Sequence, residues 1–203
     1  QIVLIDSIDE PRLADAVARA SELRERAYVV DPAWLRSTPW RERVAATFDP
    51  PQWRPELARI SAVTVRFRPD SLVAAVLLVG WLARRLGWRP GGLTEPDEQG
   101  RCSGTAEAPD GPVELRFEPD PTMPIPGLAG LTVETRSGMG VSLDRGPGGL
   151  NAGRRAPDGH ESSWTVMGAS RGEAGILGEG IRQALLREHG YTTALGVARE
   201  LVG

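Results

Sequence analysis

The chain has 203 residues, 40% of them hydrophobic and 25% charged, a composition that excludes wholesale disorder, collagen and coiled coil. Twenty-four basic against 27 acidic residues leave a net charge of -3, so the overall field repels phosphate polyanions and argues against a general nucleic-acid binder. At about this length, folding buries roughly 70% of the surface of the unfolded chain, enough for a core without disulfides or structural metal.

Ile2 to Ile5 is a continuous apolar run of the kind found in parallel strands covered on both faces, and it stops at Asp6-Ser7. A helix is predicted next, with Asp9 as its cap, Pro11 in its first turn, and Leu13, Ala16, Val17, Ala20 and Leu23 at helical spacing to about Arg26. Tyr28 to Val30 then reads as a second short strand ending at Asp31, which makes residues 1–31 a β-α-β unit like the last unit of a doubly wound sheet. With Gln1 running straight into a strand, the chain is expected to be the back part of a longer protein. Trp40, Val44 and Phe48 give the segment Pro39 to Phe48 one buried helical face, and Asp49-Pro50-Pro51 stops it.

After a short helical piece around Glu56 to Ile60 the period changes to two, placing Val63, Val65 and Phe67 on one face of a strand. A helix over 70–88 follows, apolar all round from Leu72 to Ala83; a helix without a polar face has to be enclosed, so this is the expected central helix. The same run spans only about 18 Å, against a hydrocarbon core of about 30 Å, so no membrane span is expected. With no leader pattern at the start, the expected location is the cytoplasm. Beyond it, alternating runs at Val113-Leu115-Phe117, Leu131-Val133-Thr135, Met139-Val141-Leu143 and Trp164-Val166, separated by glycine-bearing turns, predict an antiparallel meander of about five to seven strands. Weaker strands are placed at 102–107 and 150–155. The proline-rich stretch 119–130 is expected to loop across a sheet edge. Two helices, from about Gly172 to Glu188 and from Tyr191 to Val202, close the chain. The fold class is therefore α/β followed by α+β, divided into residues 1–57, the remnant of an α/β domain with linking helices, and 58–203, an antiparallel sheet packed by the central and C-terminal helices.

The chemistry available is narrow. Cys102 is the one cysteine and His160 and His189 are the two histidines, so an intramolecular disulfide and a Cys/His zinc site are both out of reach. Every basic residue is arginine, which excludes Schiff-base lysine chemistry; base composition explains that bias more simply than function does. Three groups of residues stand out. Five of the six tryptophans lie between 34 and 88, and Trp34, Arg36, Trp40 and Arg41 form a cluster suited to a partner- or anion-binding face, with core packing as the simpler reading for Trp40. Ser170, Arg171 and Gly172, in a glycine-rich stretch between a strand and a helix, are an anion-binding candidate, although Ser170 and Glu173 fit a capping box equally well. Asp6 and Asp31 end the two opening strands, where ligands of open parallel sheets bind, but capping and turn roles explain them more simply. No catalytic set, metal site or cofactor site emerges.

The stretches Val30 to Glu42, Phe48-Asp49-Pro50-Pro51 and Leu77 to Trp88 resemble the glucose-6-phosphate dehydrogenase assembly proteins, the OpcA proteins of the oxidative pentose phosphate cycle; the segment 168–184 is similar to the C-terminal part of some members. The resemblance implies a non-catalytic accessory protein that binds glucose-6-phosphate dehydrogenase and favours its active oligomer, with Trp34, Arg36, Trp40 and Arg41 as the contact candidates. A sugar-phosphate sensor using Ser170, Arg171 and Gly172, or Arg36 and Arg41, is the alternative. A hydrolase or sugar-phosphate enzyme rests on fold alone.

Overall fold

The structure is a computed structural model, which describes residues 1–167, 173–186 and 189–203. Strands β1 (Ile2–Leu4) and β2 (Tyr28–Val30) pair in parallel, joined by a 3-10 turn over Ser7–Asp9 and by helix α1 (Leu13–Arg26). Asp9 closes that turn rather than capping α1, whose N-cap position is Arg12; Asp6 takes the capping role on the turn, accepting from the Ile8 N–H at 3.5 Å. Helix α2 (Pro32–Leu35) and helix α3 (Thr38–Phe48) come next, and both carry proline in the first turn, where its missing N–H costs nothing. A 3-10 turn over Arg54–Leu57 leads into β3 (Ile60–Phe67).

β3 lies inside an eight-stranded sheet with β4 (Arg89–Leu93), β5 (Cys102–Ala108), β6 (Gly111–Pro119), β7 (Leu128–Thr135), β8 (Gly140–Gly146), β9 (Gly149–Arg155) and β10 (Glu161–Met167), in the order β10-β9-β8-β7-β3-β6-β5-β4. The sheet has one strand more than the upper end of the predicted range and is mixed rather than wholly antiparallel. β3 runs parallel to β6 and antiparallel to β7. The cause is helix α4 (Leu72–Leu86), which carries the chain back so that the strand arriving beside β3 can run in the same direction. The stretch between β6 and β7 does not cross a sheet edge; it spans the carboxyl end of the central strand, with the Asp120 N–H donating to Phe67 O at 2.6 Å and the Arg68 N–H to Gly127 O at 3.0 Å.

One face of this sheet is apolar, built from the alternating Val63, Val65 and Phe67, Val113, Leu115 and Phe117, and Leu131 and Val133, all buried. α4 packs on it, against β3 and β6, and is covered on its other side by helix α6 (Gly190–Val202), which also packs against α1 and β4. Enclosure from both sides is why α4 has no polar face, and Gly87, at a φ of 70°, ends it in the left-handed conformation glycine tolerates. Helix α5 (Glu173–Leu186) lies over the opening pair: Gly180 sits on Val30 and Leu35, and the Tyr28 hydroxyl donates to Gln183 O at 2.9 Å. A single buried cluster runs from Ala16 and Val29 through α4 to Leu143 and Ala152, across residue 57 without a break.

α4 and α6 come close together at Gly80. A Cβ there would stand 2.5 Å from the backbone oxygen of Ala194, and backbone cannot move aside as a side-chain tip can. Gly80→Ala is expected to destabilise the chain by about 1–3 kcal/mol, an overpacking cost, read as a lowered urea midpoint with an unchanged denaturant slope.

Candidate functional site

The polar chemistry of the opening unit gathers at the carboxyl ends of β1 and β2, for a local reason. Each strand ends in an aspartate whose side chain caps the next element: Asp6 the 3-10 turn, and Asp31 helix α2, where it accepts from the Ala33 N–H at 3.0 Å. Asp31 is buried and does more than cap. It also accepts from the Ser7 N–H at 3.1 Å, the Ser7 hydroxyl at 2.6 Å and the Tyr191 hydroxyl at 2.8 Å, so one carboxylate ties the turn after β1, the start of α2 and the first turn of α6 together. Burial pushes its pKa above the ordinary aspartate value, against the opposing pull of these hydrogen bonds. Tyr191 is raised well above an ordinary tyrosine, first by burial and then by the charge on Asp31, so it stays protonated and donates.

The two indoles of the tryptophan-arginine cluster are interior. Trp34 is 3% exposed and Trp40 is fully buried. The Trp34 ring lies 5.9 Å from Tyr191, and the Arg41 guanidinium carbon stacks 3.3 Å from its centroid. The Arg36 side chain is 9% exposed and pairs with Asp6 at 2.7 Å. The expectation of an exposed indole at Trp34 is thus corrected, Trp40 takes the core position that was its simpler reading, and Arg36 and Arg41 are half-buried against Asp6 and Trp34. Arg36 ties the end of α2 to Asp6 after β1, Trp34 meets Tyr191 of α6, Arg41 of α3 stacks on Trp34, and Trp40 lies beneath Arg145 of β8, large aromatic surfaces that bury readily where elements meet. Ser170, Arg171 and Gly172 lie outside the described residues.

Two further stacks have no counterpart in the sequence analysis. Arg145 on β8 lies 5.9 Å over Trp40 and donates to Leu128 O at 3.1 Å, with burial lowering its pKa. Arg154 on β9 stands 4.7 Å over Trp53 and 5.8 Å over Trp164, the tryptophan most remote in sequence from the other five. Neither stack has a local signal. Arg145 and Arg154 lie more than about 100 positions from Trp40 and Trp53, and Arg154 and Trp164 meet only through the β9–β10 register. Cys102 is buried, and its thiol is pushed up to about 11, mainly by burial. Among the described residues no group of three or more His, Cys, Asp or Glu is placed to hold a metal ion, and no helix is long and apolar enough to cross a membrane.

A cleft of about 670 Å³ opens at the other end of the strand pair, lined by Gln1, Arg24, Arg26, Tyr28, His189 and Thr192 among others. It sets two arginines from the end of α1 beside the first turn of α6.

The architecture defines a class first. The solved structure of the dehydrogenase MviM from Clostridium difficile superposes with a TM-score of 0.55 at 7% identity, covering 98% of this chain and 69% of that one. A super-repressor mutant of Gal80p from Saccharomyces cerevisiae gives 0.55 at 10% identity, covering 98% and 68%. These likenesses concern the fold, and it is one that serves proteins of different kinds. Sequence similarity then narrows the class to a family: residues 27–195 match the OpcA family of C-terminal domains of the glucose-6-phosphate dehydrogenase subunit, and the chain belongs to that family. The OxPP cycle protein OpcA of Synechococcus elongatus is 32% identical over 109 residues, 54% of this chain and 22% of that protein. Its counterpart from Nostoc punctiforme is 34% identical over 89 residues, 43% and 19%. The matched stretch thus spans about a fifth of the length of these curated relatives.

Proposed function

We propose that this chain belongs to a non-catalytic accessory protein that binds glucose-6-phosphate dehydrogenase and favours its active oligomer. The observation that carries this reading is the family match over residues 27–195. The geometry lends support in that the two aspartates at the carboxyl ends of β1 and β2, where ligands of such sheets bind, are committed to the chain's own groups, Asp31 to Ser7, Ala33 and Tyr191 and Asp6 to Arg36, beside a cavity of about 220 Å³ lined by Leu4, Ser7, Glu10 and Arg19. On this reading Trp34, Arg36, Trp40 and Arg41 are framework that holds α2 and α3 in place, and the partner is met by residues outside that cluster. A protein that binds the active assembly more tightly than the inactive one shifts the population by its differential affinity, about tenfold for each 1.4 kcal/mol. Titrating the cognate dehydrogenase with the full-length protein tests this: activity per dehydrogenase chain should rise and saturate, and an unchanged rate with no co-precipitation would refute it.

A second reading, a sugar-phosphate sensor, draws on the cleft between Arg24, Arg26 and the first turn of α6. Here the Arg24 and Arg26 guanidinium groups would meet a phosphate. Calorimetry with glucose 6-phosphate separates the two readings: heat of binding that is lost in Arg24→Ala/Arg26→Ala favours the sensor, and its absence in the native chain removes it.

A further inference from the structure

The stretch between β6 and β7, residues 120–127, is fixed as an arch over the carboxyl end of β3. Both of its ends are tied to the core: the Asp120 N–H donates to Phe67 O at 2.6 Å, the Arg68 N–H to Gly127 O at 3.0 Å, and the Gly127 N–H to the hydroxyl of buried Ser71 at 2.9 Å. Within the arch the Asp120 carboxylate accepts from the Thr122 N–H at 3.0 Å and the Thr122 hydroxyl at 2.6 Å, and Met123 is buried. Pro121, Pro124 and Pro126 fix their own φ and restrict the residue before each, so Ile125, between two prolines, has little backbone freedom left to lose. Yet Ile125 is 43% exposed. The other exposed large apolar side chains stand on β1, at the start of the chain, or on β10 and α5, which adjoin residues outside the described ones; Ile125 has described chain on both sides. Beside the arch, half-buried Arg145 donates to Leu128 O at 3.1 Å, two residues beyond Pro126, and among the described residues no carboxylate pairs with it.

We propose that this arch is a docking element, with Ile125 entering an apolar pocket on a protein partner that sets a carboxylate opposite Arg145; resting on the function proposed above, that partner is glucose-6-phosphate dehydrogenase. An exposed apolar side chain on a rigid loop calls for a concave apolar surface, which a macromolecule supplies and a small anion does not. Because the loop is already ordered, little conformational freedom is lost on association, and more of the contact energy appears as affinity. Proline-rich segments dock in apolar, aromatic-lined grooves for the same reason. Arg145 adds the polar half of the match. The Trp40 ring and the Leu128 carbonyl hold its guanidinium in place without neutralising it, so an acidic group from outside completes the site.

The affinity of the full-length protein for the cognate dehydrogenase, measured by biolayer interferometry, tests this. Ile125→Ser should weaken binding about tenfold or more, with a urea midpoint close to wild type, and Ile125→Leu should keep most of the affinity. Pro124→Gly, which retains Ile125 but frees the backbone, should weaken binding about two- to fivefold. Arg145→Gln should flatten the dependence of affinity on salt; an unchanged dependence overturns the carboxylate placed opposite it. Wild-type affinity in both Ile125→Ser and Pro124→Gly overturns the docking assignment and leaves the accessory function standing, whereas no binding by the unaltered protein overturns that function and this occupant together. A concentration-dependent dimer of the protein alone that Ile125→Ser abolishes, seen in sedimentation velocity, would make a second copy the occupant and also overturn the proposal.

Discussion

Asp31→Ala is expected to be among the most damaging single substitutions in the chain. It would leave two backbone N–H groups, of Ser7 and Ala33, buried without an acceptor, and deprive the Ser7 and Tyr191 hydroxyls of theirs. At about 1–3 kcal/mol for each buried donor left unmade, the two backbone groups alone set the cost at about 2–6 kcal/mol. Hydroxyls can rotate to other acceptors; backbone N–H groups cannot. Urea unfolding of wild type and variant measures the difference, and a loss below about 1 kcal/mol, on the order of one ordinary hydrogen bond, would show that Asp31 is not the tie between the strand ends and α6.

The same carboxyl makes a pH prediction whose sign comes from linkage. Burial raises its folded-state pKa above the unfolded value, so the folded chain holds this proton more tightly. Its contribution to stability is therefore fully present below the unfolded pKa and is lost as pH rises through the raised folded value. Relative to Asp31→Asn, which does not titrate, wild type should gain stability on acidification through that window. A difference that moves the other way contradicts the burial-dominated shift.

Trp40→Ala is expected to cost about 3–5 kcal/mol, the range for removing a large aromatic side chain from a packed core. Trp40 is fully buried on α3, and its ring underlies the Arg145 guanidinium. Losing the ring opens a cavity and at the same time strips a half-buried cation of its aromatic partner, so the loss should sit toward the top of the range. A thermal melt with a cost under about 1 kcal/mol, typical of a surface site, would mean that Trp40 is not framework and would reopen the case for it as a contact residue.

Much of the architecture could be read from periodicity because burial imposes it directly. The switch to period two at Val63 and the all-round apolar run at Leu72 to Ala83 correspond to β3 and α4, one strand with a single buried face and one helix covered on both sides. β4 was invisible, since Arg-Pro-Gly-Gly-Leu carries no alternation and forms a strand only because β5 offers a partner. The parallel pairing of β3 and β6 was equally hidden, because strand direction depends on where α4 returns the chain and leaves no mark on either strand. For the candidate site, residue type was legible and exposure was not. Trp34 and Arg36 look like a contact surface in sequence, yet Tyr191, far downstream of Trp34, and Asp6, 30 positions before Arg36, pack against them and take up most of their surface. Likewise Asp31 reads as a turn residue until Tyr191, 160 positions away, reaches it.

If the protein acts by changing the assembly state of glucose-6-phosphate dehydrogenase, the size distribution of the cognate enzyme in analytical ultracentrifugation must depend on whether the full-length protein is present. The dehydrogenase is expected to shift to its larger, active species, with the added protein sedimenting alongside it. Identical dehydrogenase boundaries in both runs, with the added protein sedimenting separately, would contradict that mode of action.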